Sequence, residues 1–290
     1  GQEENTIFRG MLQWQPTDSF QALFTAGYNR VNGNMQANVL FDVVEGLGFG
    51  PRTPSKYNAA GIPFTDELYA YGKREEYKNA SDYTGPGILF DSNSFSMNLT
   101  YDINDSVTFK SITASRNFDY SAYRDLDATF LVMQNTWYYQ EVEEMSQEFQ
   151  VLGSGDSYSW VVGLYYYDRD VYTKFNGWQR WELTGKGVNG PRPRNSLQRT
   201  VTTDHAIYAE LTYDMTEQIS LTVGGRYSEE QAYAATYDPS EGLGSPTQPS
   251  FDLNGLIKIV DGVPLEFNPE FDAFTPRVTL QYQYTDNVMA

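Results

Sequence analysis

Along most of this chain apolar and polar residues alternate with a period of two, in runs of about ten residues. That is the pattern of strands with two unlike faces. The clearest run starts at Ile219, where Ile219, Leu221, Val223, Gly225 and Tyr227 alternate with Ser220, Thr222, Gly224, Arg226 and Ser228. Just upstream, Ile207, Ala209, Leu211 and Tyr213 alternate with Ala206, Tyr208, Glu210 and Thr212. Only Asp214 to Gln218 separates the two runs, a link short enough to predict an antiparallel hairpin.

The same unit recurs along the chain. Ile7 to Trp14 leads through a Pro16-Thr17-Asp18-Ser19 turn into a strand with Phe20, Ala22, Phe24, Ala26 and Tyr28 on one face. Leu23 breaks that alternation. Phe95, Met97, Leu99, Tyr101 and Ile103 share a face before Asn104-Asp105, and a strand from Val107 to about Asp125 follows in which neither face is cleanly apolar. Met145, Phe149 and Val151 precede a turn at Gly153 to Ser157, after which Tyr158, Trp160, Val162, Leu164 and Tyr166 align. The last full run sets Phe274, Pro276, Val278, Leu280, Tyr282 and Tyr284 against Thr275, Arg277, Thr279, Gln281 and Gln283. Thr285-Asp286-Asn287 then turns the chain into a strand beginning at Val288. Between these units lie long connections, at about 32–93, 128–141, 176–201 and 238–271, where a compact domain ordinarily uses about 4 to 6 residues. Thr65 to Lys78 within the first has the composition of a short helix but no apolar stripe.

Short turns at one end, long loops at the other and strands with one uncharged apolar face together predict a transmembrane antiparallel β-barrel of the outer-membrane type. Aromatics near strand ends (Trp14, Phe20, Tyr28, Tyr101, Tyr213, Tyr227, Tyr284) would form its interfacial girdles. A soluble β-sandwich also alternates, but its strands are shorter and its turns lack this asymmetry. Nine strands and the start of a tenth leave two open edges, and an unpaired backbone group in lipid costs several kcal/mol. More strands are therefore expected on both sides. Gly1 is not an initiator Met and no signal segment follows it, so the sequence reads as an internal fragment.

Composition narrows the function. The 290 residues carry 23 Tyr, 17 Phe and 5 Trp, yet their longest apolar run, Trp160 to Tyr167, is far shorter than the roughly 20 residues of a spanning helix. A net charge of −18 argues against a nucleic-acid partner, which is held through Lys and Arg. With no Cys and one His, thiolate and imidazole chemistry have little to work with, and no cofactor or metal site is expected. Gly46 to Gly50 lacks the strand, spacing and helix of a phosphate loop. His205 reads as a polar strand-entry residue, and Glu143, Glu144 and Glu148 find no partner nucleophile for a catalytic role.

Several segments resemble the barrel half of TonB-dependent receptors: SITASRNFDY from Ser111, MSQEFQVLG from Met145, SWVVGLYYYDRDV from Ser159, AIYAELTYDMTEQISLTVGGRYSEE from Ala206 and FDAFTPRVTLQYQYTDNVMA from Phe271. The resemblance covers most of the chain after Asn93. It implies residues 1–290 as part of a 22-stranded barrel in the outer membrane of a Gram-negative bacterium, surrounded by lipid. The plug, TonB box and terminal strands lie outside the sequence, and the TonB complex would be contacted through the missing N-terminal region. It also implies active uptake of a scarce nutrient, by default a ferric siderophore, with cobalamin or glycans as alternatives, and no enzymatic activity. A passive porin, an outer-membrane enzyme and a soluble adhesin or lectin are the competing classes.

In such a barrel the polar faces line the lumen, which places Glu144, Glu148, Glu210, Arg226 and Arg277 there, as contacts of the plug, trapped water or ligand. The basic loop Asn176 to Val201 is the candidate for ligand capture. Trp178 and Trp181 would stack on a sugar or aromatic siderophore, and Arg180, Arg192 and Arg194 would attract an anion. A solvated loop meeting anionic lipopolysaccharide explains it equally well. Trp137, Tyr138 and Tyr139 mark either a second loop rim or part of the aromatic belt.

Overall fold

The computed structural model describes residues 3–34, 87–126, 134–180, 191–237, 259–260, 263–264, 266–285 and 288–289. Eight long strands, β1 (Glu3–Thr17), β2 (Phe20–Gly33), β3 (Ile88–Asn104), β4 (Val107–Asp125), β5 (Gln134–Gly155), β6 (Tyr158–Arg180), β7 (Pro191–Asp214) and β8 (Ile219–Tyr237), follow one another. Three two-residue pieces come next, β9 (Ile259–Val260), β10 (Val263–Pro264) and β11 (Glu266–Phe267), then the long β12 (Glu270–Thr285) and the short β13 (Val288–Met289). No helix occurs among the described residues. β1 to β8 pair in sequence order and β12 continues the sheet on β8, every pair antiparallel, with β13 beyond it. β11 adds to β8 beside β12, and β9 with β10 forms a separate ribbon.

The turns form where the sequence supplies local hydrogen bonds to replace the ladder. Between β3 and β4 the Asn104 side chain accepts from the Ser106 amide at 2.9 Å. Between β7 and β8 the Thr216 hydroxyl accepts from the amides of Gln218 (3.2 Å) and Ile219 (3.0 Å), and Ser220 donates to Asp214 at 2.6 Å.

Register carries one face across the whole sheet, because directly paired residues lie on the same side. One continuous row runs Trp14, Ala22, Leu99, Ser111, Phe149, Leu164, Ile207, Tyr227 and Phe274. Most of the large apolar side chains on this face stand in the open, with Leu164 at 53% and, two rows away, Val278 at 71% exposure, while the small Ala22 and Ser111 are covered by their neighbours. Each long strand packs essentially against its sheet neighbours alone. No second sheet covers the apolar face among the described residues, so the sandwich alternative fails and the buried apolar core shrinks to six residues such as Ala22, Val142 and Leu197.

The register also settles β4, whose facing the sequence leaves open. Phe109, Ser111, Thr113 and Ser115 fall on the apolar face, opposite Tyr101, Leu99, Met97 and Phe95 of β3. The hydroxyls of Ser111 and Thr113 are bonded within the wall. Thr113 donates to the Gln147 carbonyl at 2.6 Å, and the Gln147 amide donates to Ser111 at 3.1 Å. A polar strip can therefore sit among apolar neighbours without orphaned groups. Aromatics bracket the apolar set as expected near the turns, where Trp14 meets Phe20 edge-on at 5.7 Å and Tyr158 pairs with Tyr213.

The strands are longer, and the connections shorter, than the alternation predicts. β2 runs to Gly33 and β3 begins at Ile88, β5 begins at Gln134, β6 continues to Arg180 while β7 starts at Pro191, and β12 starts at Glu270. The boundaries at 32–93, 128–141, 176–201 and 238–271 are corrected accordingly. The physical reason lies in the polarity of the distal halves. Both faces there carry charged and polar groups, so pairing continues after the two-residue period has faded. The 23 residues of β6 extend about 75 Å at roughly 3.3 Å each, whereas a tilted strand crosses the apolar band in about 10 residues. Thr65 to Lys78 and Gly46 to Gly50 lie outside the described residues.

Candidate functional site

The face opposite the exposed apolar rows carries all five charged residues singled out on strands, and each is engaged with a neighbour. Glu144 on β5 sits in a row between Arg116 on β4 and Arg169 on β6. Arg116 donates from Nε (3.0 Å) and Nη2 (2.7 Å) to one Glu144 oxygen, and Arg169 Nε lies 3.1 Å from the other. Sequence reasoning missed both arginines as partners. Their even and odd positions on adjacent strands are visible in the sequence, but the cross-strand register that aligns them is not.

Glycines let two further pairs form across an intervening strand. Gly163 on β6 is paired with Tyr208 on β7, and a Cβ there would overlap the Tyr208 ring. The ring therefore lies over the glycine and its hydroxyl reaches β5, donating to Glu148 while accepting from Gln150 at 3.0 Å. On β8, a Cβ at Gly224 would stand 2.9 Å from the Ala209 carbonyl oxygen and 3.2 Å from Glu210 Cβ and Cγ. The gap it leaves lets Arg277 of β12 reach Glu210 of β7 at 2.8 Å. Arg226 completes the set. It donates to Ser228 at 2.8 Å and to Asp204 at 3.4 Å, and its guanidinium lies 5.2 Å from the Tyr165 ring centroid.

The distal strand halves carry a different constellation on the same side as the apolar rows. Asp170 holds Arg199 in a two-pronged ion pair, beside Glu141, Glu143 and Tyr172, around a cleft of about 320 Å³. Trp137 and Tyr139 project on this side as near-parallel rings 5.8 Å apart, with Lys174 5.7 Å from the Trp137 centroid. Tyr138 takes the other side, edge-on to Tyr120 at 6.0 Å. All three belong to β5 and not to a loop rim. Trp137 also stands eight residues past Met145, the last apolar residue of its face, too far along the strand for an interfacial girdle. Burial, then hydrogen bonds donated to Asp119 (3.0 Å) and Glu141 (3.4 Å), raise the Tyr139 hydroxyl above its ordinary value.

The basic segment forms the distal end of the β6–β7 hairpin. Gly177 pairs with Arg194, Trp178 with Pro193, Gln179 with Arg192 and Arg180 with Pro191. Trp181 lies outside the described residues, as do the side chains of Trp178, Arg180, Arg192 and Arg194. His205, by contrast, is described and exposed, its ring 5.1 Å from that of Tyr166.

The sheet is similar to solved receptors at low identity, which speaks to the fold alone. The ferric yersiniabactin uptake receptor FyuA from Yersinia pestis matches with 16% identity and a TM-score of 0.59, over 99% of this chain and 36% of its own. The siderophore receptor PiuA from Acinetobacter baumannii matches with 9% identity and a TM-score of 0.58, over 98% and 40%. The ferric citrate transporter FecA in its unliganded form matches with 12% identity and a TM-score of 0.56, over 98% and 34%. The chain thus spans about a third to two fifths of these proteins. No curated protein matches the sequence. The sequence model of the family described as TonB dependent receptor-like, beta-barrel, matches residues 13–290. One antiparallel sheet with an open apolar face, a charge-paired opposite face and this match identify the chain as a member of the TonB-dependent receptor family, in its β-barrel portion.

Proposed function

We propose that the chain forms part of the wall of an outer-membrane receptor that takes up a scarce nutrient in a TonB-dependent manner, with a ferric siderophore as cargo. The carrying observation is the family match over residues 13–290, and the siderophore receptors among its structural neighbours support the choice of cargo. In this reading the open apolar rows face lipid, since a charge at the membrane midplane costs about 2 to 4 kcal/mol and none is found in their middle. The opposite face lines the lumen. There Glu144, Glu210, Arg226 and Arg277 act first on the wall itself, pairing charges that would otherwise be left unpaired beside a plug, and Glu148 is held by hydrogen bonds from Tyr208 and Gln150.

Cargo capture is assigned to the distal end of the β6–β7 hairpin. Trp178 and Trp181 supply stacking surfaces, and Arg180, Arg192 and Arg194 supply positive charge in a chain of net −18. The wall holds no catalytic group in this reading, and its partners are lipid, a small ligand and, through another part of the protein, the TonB complex. The test is uptake of radioactive iron, presented as siderophore complexes, by cells carrying the full-length gene with and without a functional TonB. Uptake that depends on both supports the proposal. Iron accumulation unaffected by loss of the gene, with growth instead dependent on it for cobalamin or a glycan, would reassign the cargo.

A further inference from the structure

The inner face of the sheet carries an aromatic patch on the distal parts of β3 to β6. Phe118 of β4 lies tilted against Phe90 of β3, with ring centroids 5.6 Å apart. Two residues further along β4, Tyr120 pairs with Phe90 and meets Tyr138 of β5 edge-on at 6.0 Å, and Tyr138 pairs with Phe175 of β6. All five rings are half-buried. The outward residues beside them, Asp91, Asp119 and Glu141, form one charged row, so this stretch of wall lies beyond the lipid-facing band and its inner aromatics have no lipid to meet.

Cations stand at the band side of the patch. The Arg116 guanidinium lies 5.6 Å from the Phe118 centroid and shares Glu144 with Arg169, so two cations meet one anion and a positive charge remains. Nη1 of Arg116 and both Nη atoms of Arg169 make no hydrogen bond or ion pair with other described residues. Beside Arg116 a cleft of about 230 Å³ is lined by Ser94, Ser96, Ser146 and Tyr167, whose hydroxyls make no hydrogen bond with other described residues. Its lining carboxylate, Glu144, is already shared by the two arginines. Unspent donors next to a stacking surface suit a flat anion, whose ring packs on the aromatics while its oxygens meet the guanidiniums. An aliphatic anion would leave the rings uncovered, and a neutral aliphatic ligand would leave the charge unmet as well.

We propose that this part of the inner wall recognises the aryl groups of an anionic ferric chelate, of the catecholate or phenolate class. One ring lies against Phe118 and Phe90, and the negative oxygens at its edge accept from Arg116, Arg169 and the serine hydroxyls of the cleft. The proposal rests on the uptake reading and narrows its cargo from ferric siderophores in general to those built on aryl oxygens.

The test uses the purified full-length receptor and the iron(III) complexes of a catechol (dihydroxybenzoate), of citrate and of acetohydroxamate, with bound radioactive iron counted at equilibrium. The first is an aryl anion, the second an aliphatic anion and the third neutral and aliphatic. The dihydroxybenzoate complex should be held about tenfold more tightly than either of the others. Phe118→Ala should remove about tenfold of that affinity and leave the citrate complex unaffected, whereas Arg116→Gln should weaken both anionic complexes and spare acetohydroxamate. Heat-dependent gel mobility reports whether each variant is folded, and Phe90→Leu, which keeps apolar bulk without the ring, serves if Phe118→Ala does not fold. No preference for the dihydroxybenzoate complex would overturn the site. So would folded ring variants that lose stability but keep wild-type affinity, since the patch would then be covered by the receptor's own plug. TonB-dependent iron uptake by cells carrying the gene would in either case leave the uptake reading standing, and its absence would overturn that reading too.

Discussion

Val223→Arg tests the facing of the sheet most directly, because three environments for that face give three different results. Ile219 to Tyr227 spans eight steps of roughly 3.3 Å, and at a strand tilt near 40° this covers about 20 Å of a band about 25 Å tall. Val223 stands halfway, 48% exposed, between Leu211 and Val278 in its row. At the midplane of a bilayer the arginine should cost about 2 to 4 kcal/mol, falling to about 0–1 kcal/mol for Tyr227→Arg at the band edge. Were the face bathed in water, Val223→Arg would stay within about 0.5 kcal/mol. In a closed core, cost would track burial and not depth. The assay is reversible urea titration of full-length receptor folding into phosphocholine vesicles, run for Leu221→Arg, Val223→Arg and Tyr227→Arg. A cost at Val223 below about 0.5 kcal/mol, or one no greater than at Tyr227, would refute the lipid-facing assignment.

The opposite face has its own tests in the same titration. Glu144→Gln should destabilise by about 1–2 kcal/mol, since two half-exposed guanidiniums lose their shared counter-ion, and a double-mutant cycle with Arg116→Gln should show positive coupling. Gly224→Val should cost about 1–3 kcal/mol by overpacking against the Ala209 carbonyl and Glu210. Gly10→Ala, where a Cβ meets nothing within 4 Å, serves as its neutral counterpart, expected within about 0.5 kcal/mol. Arg192→Ala combined with Arg194→Ala should weaken binding of an anionic ferric siderophore to whole cells, increasingly so at low ionic strength; unchanged affinity would remove the hairpin end from the capture site. Steady conductance through full-length receptors in planar bilayers should be small, and a large open current would favour a porin.

Much of this wall was legible without coordinates because a strand has one periodicity and two faces. Alternation from Ile219 to Ser228 was enough to put Leu221 and Val223 on one side and Arg226 on the other, and the polar links at Asp18, Asp105 and Asp214 were enough to end the strands. Glu144, Glu148, Glu210, Arg226 and Arg277 share a face for the same reason. Their partners were not legible. Register decides that Arg116 and Arg169 bracket Glu144, and that Gly163 and Gly224 open the paths by which Tyr208 and Arg277 reach across a strand.

Where polarity is the same on both faces, local sequence loses its signal and pairing with a neighbour takes over. That is why β5, β6 and β7 run on through Trp137, Gly177 and Arg199, in segments whose composition reads as loop. It is also why β4, ambiguous alone, acquires its facing from Leu99 on one side and Phe149 on the other. The chain's own pattern determined which residues can meet lipid and where the short turns fall. The sheet decided how far the strands extend and which charges meet, because hydrogen bonding between strands is a property of the pair and cannot be read from either strand alone.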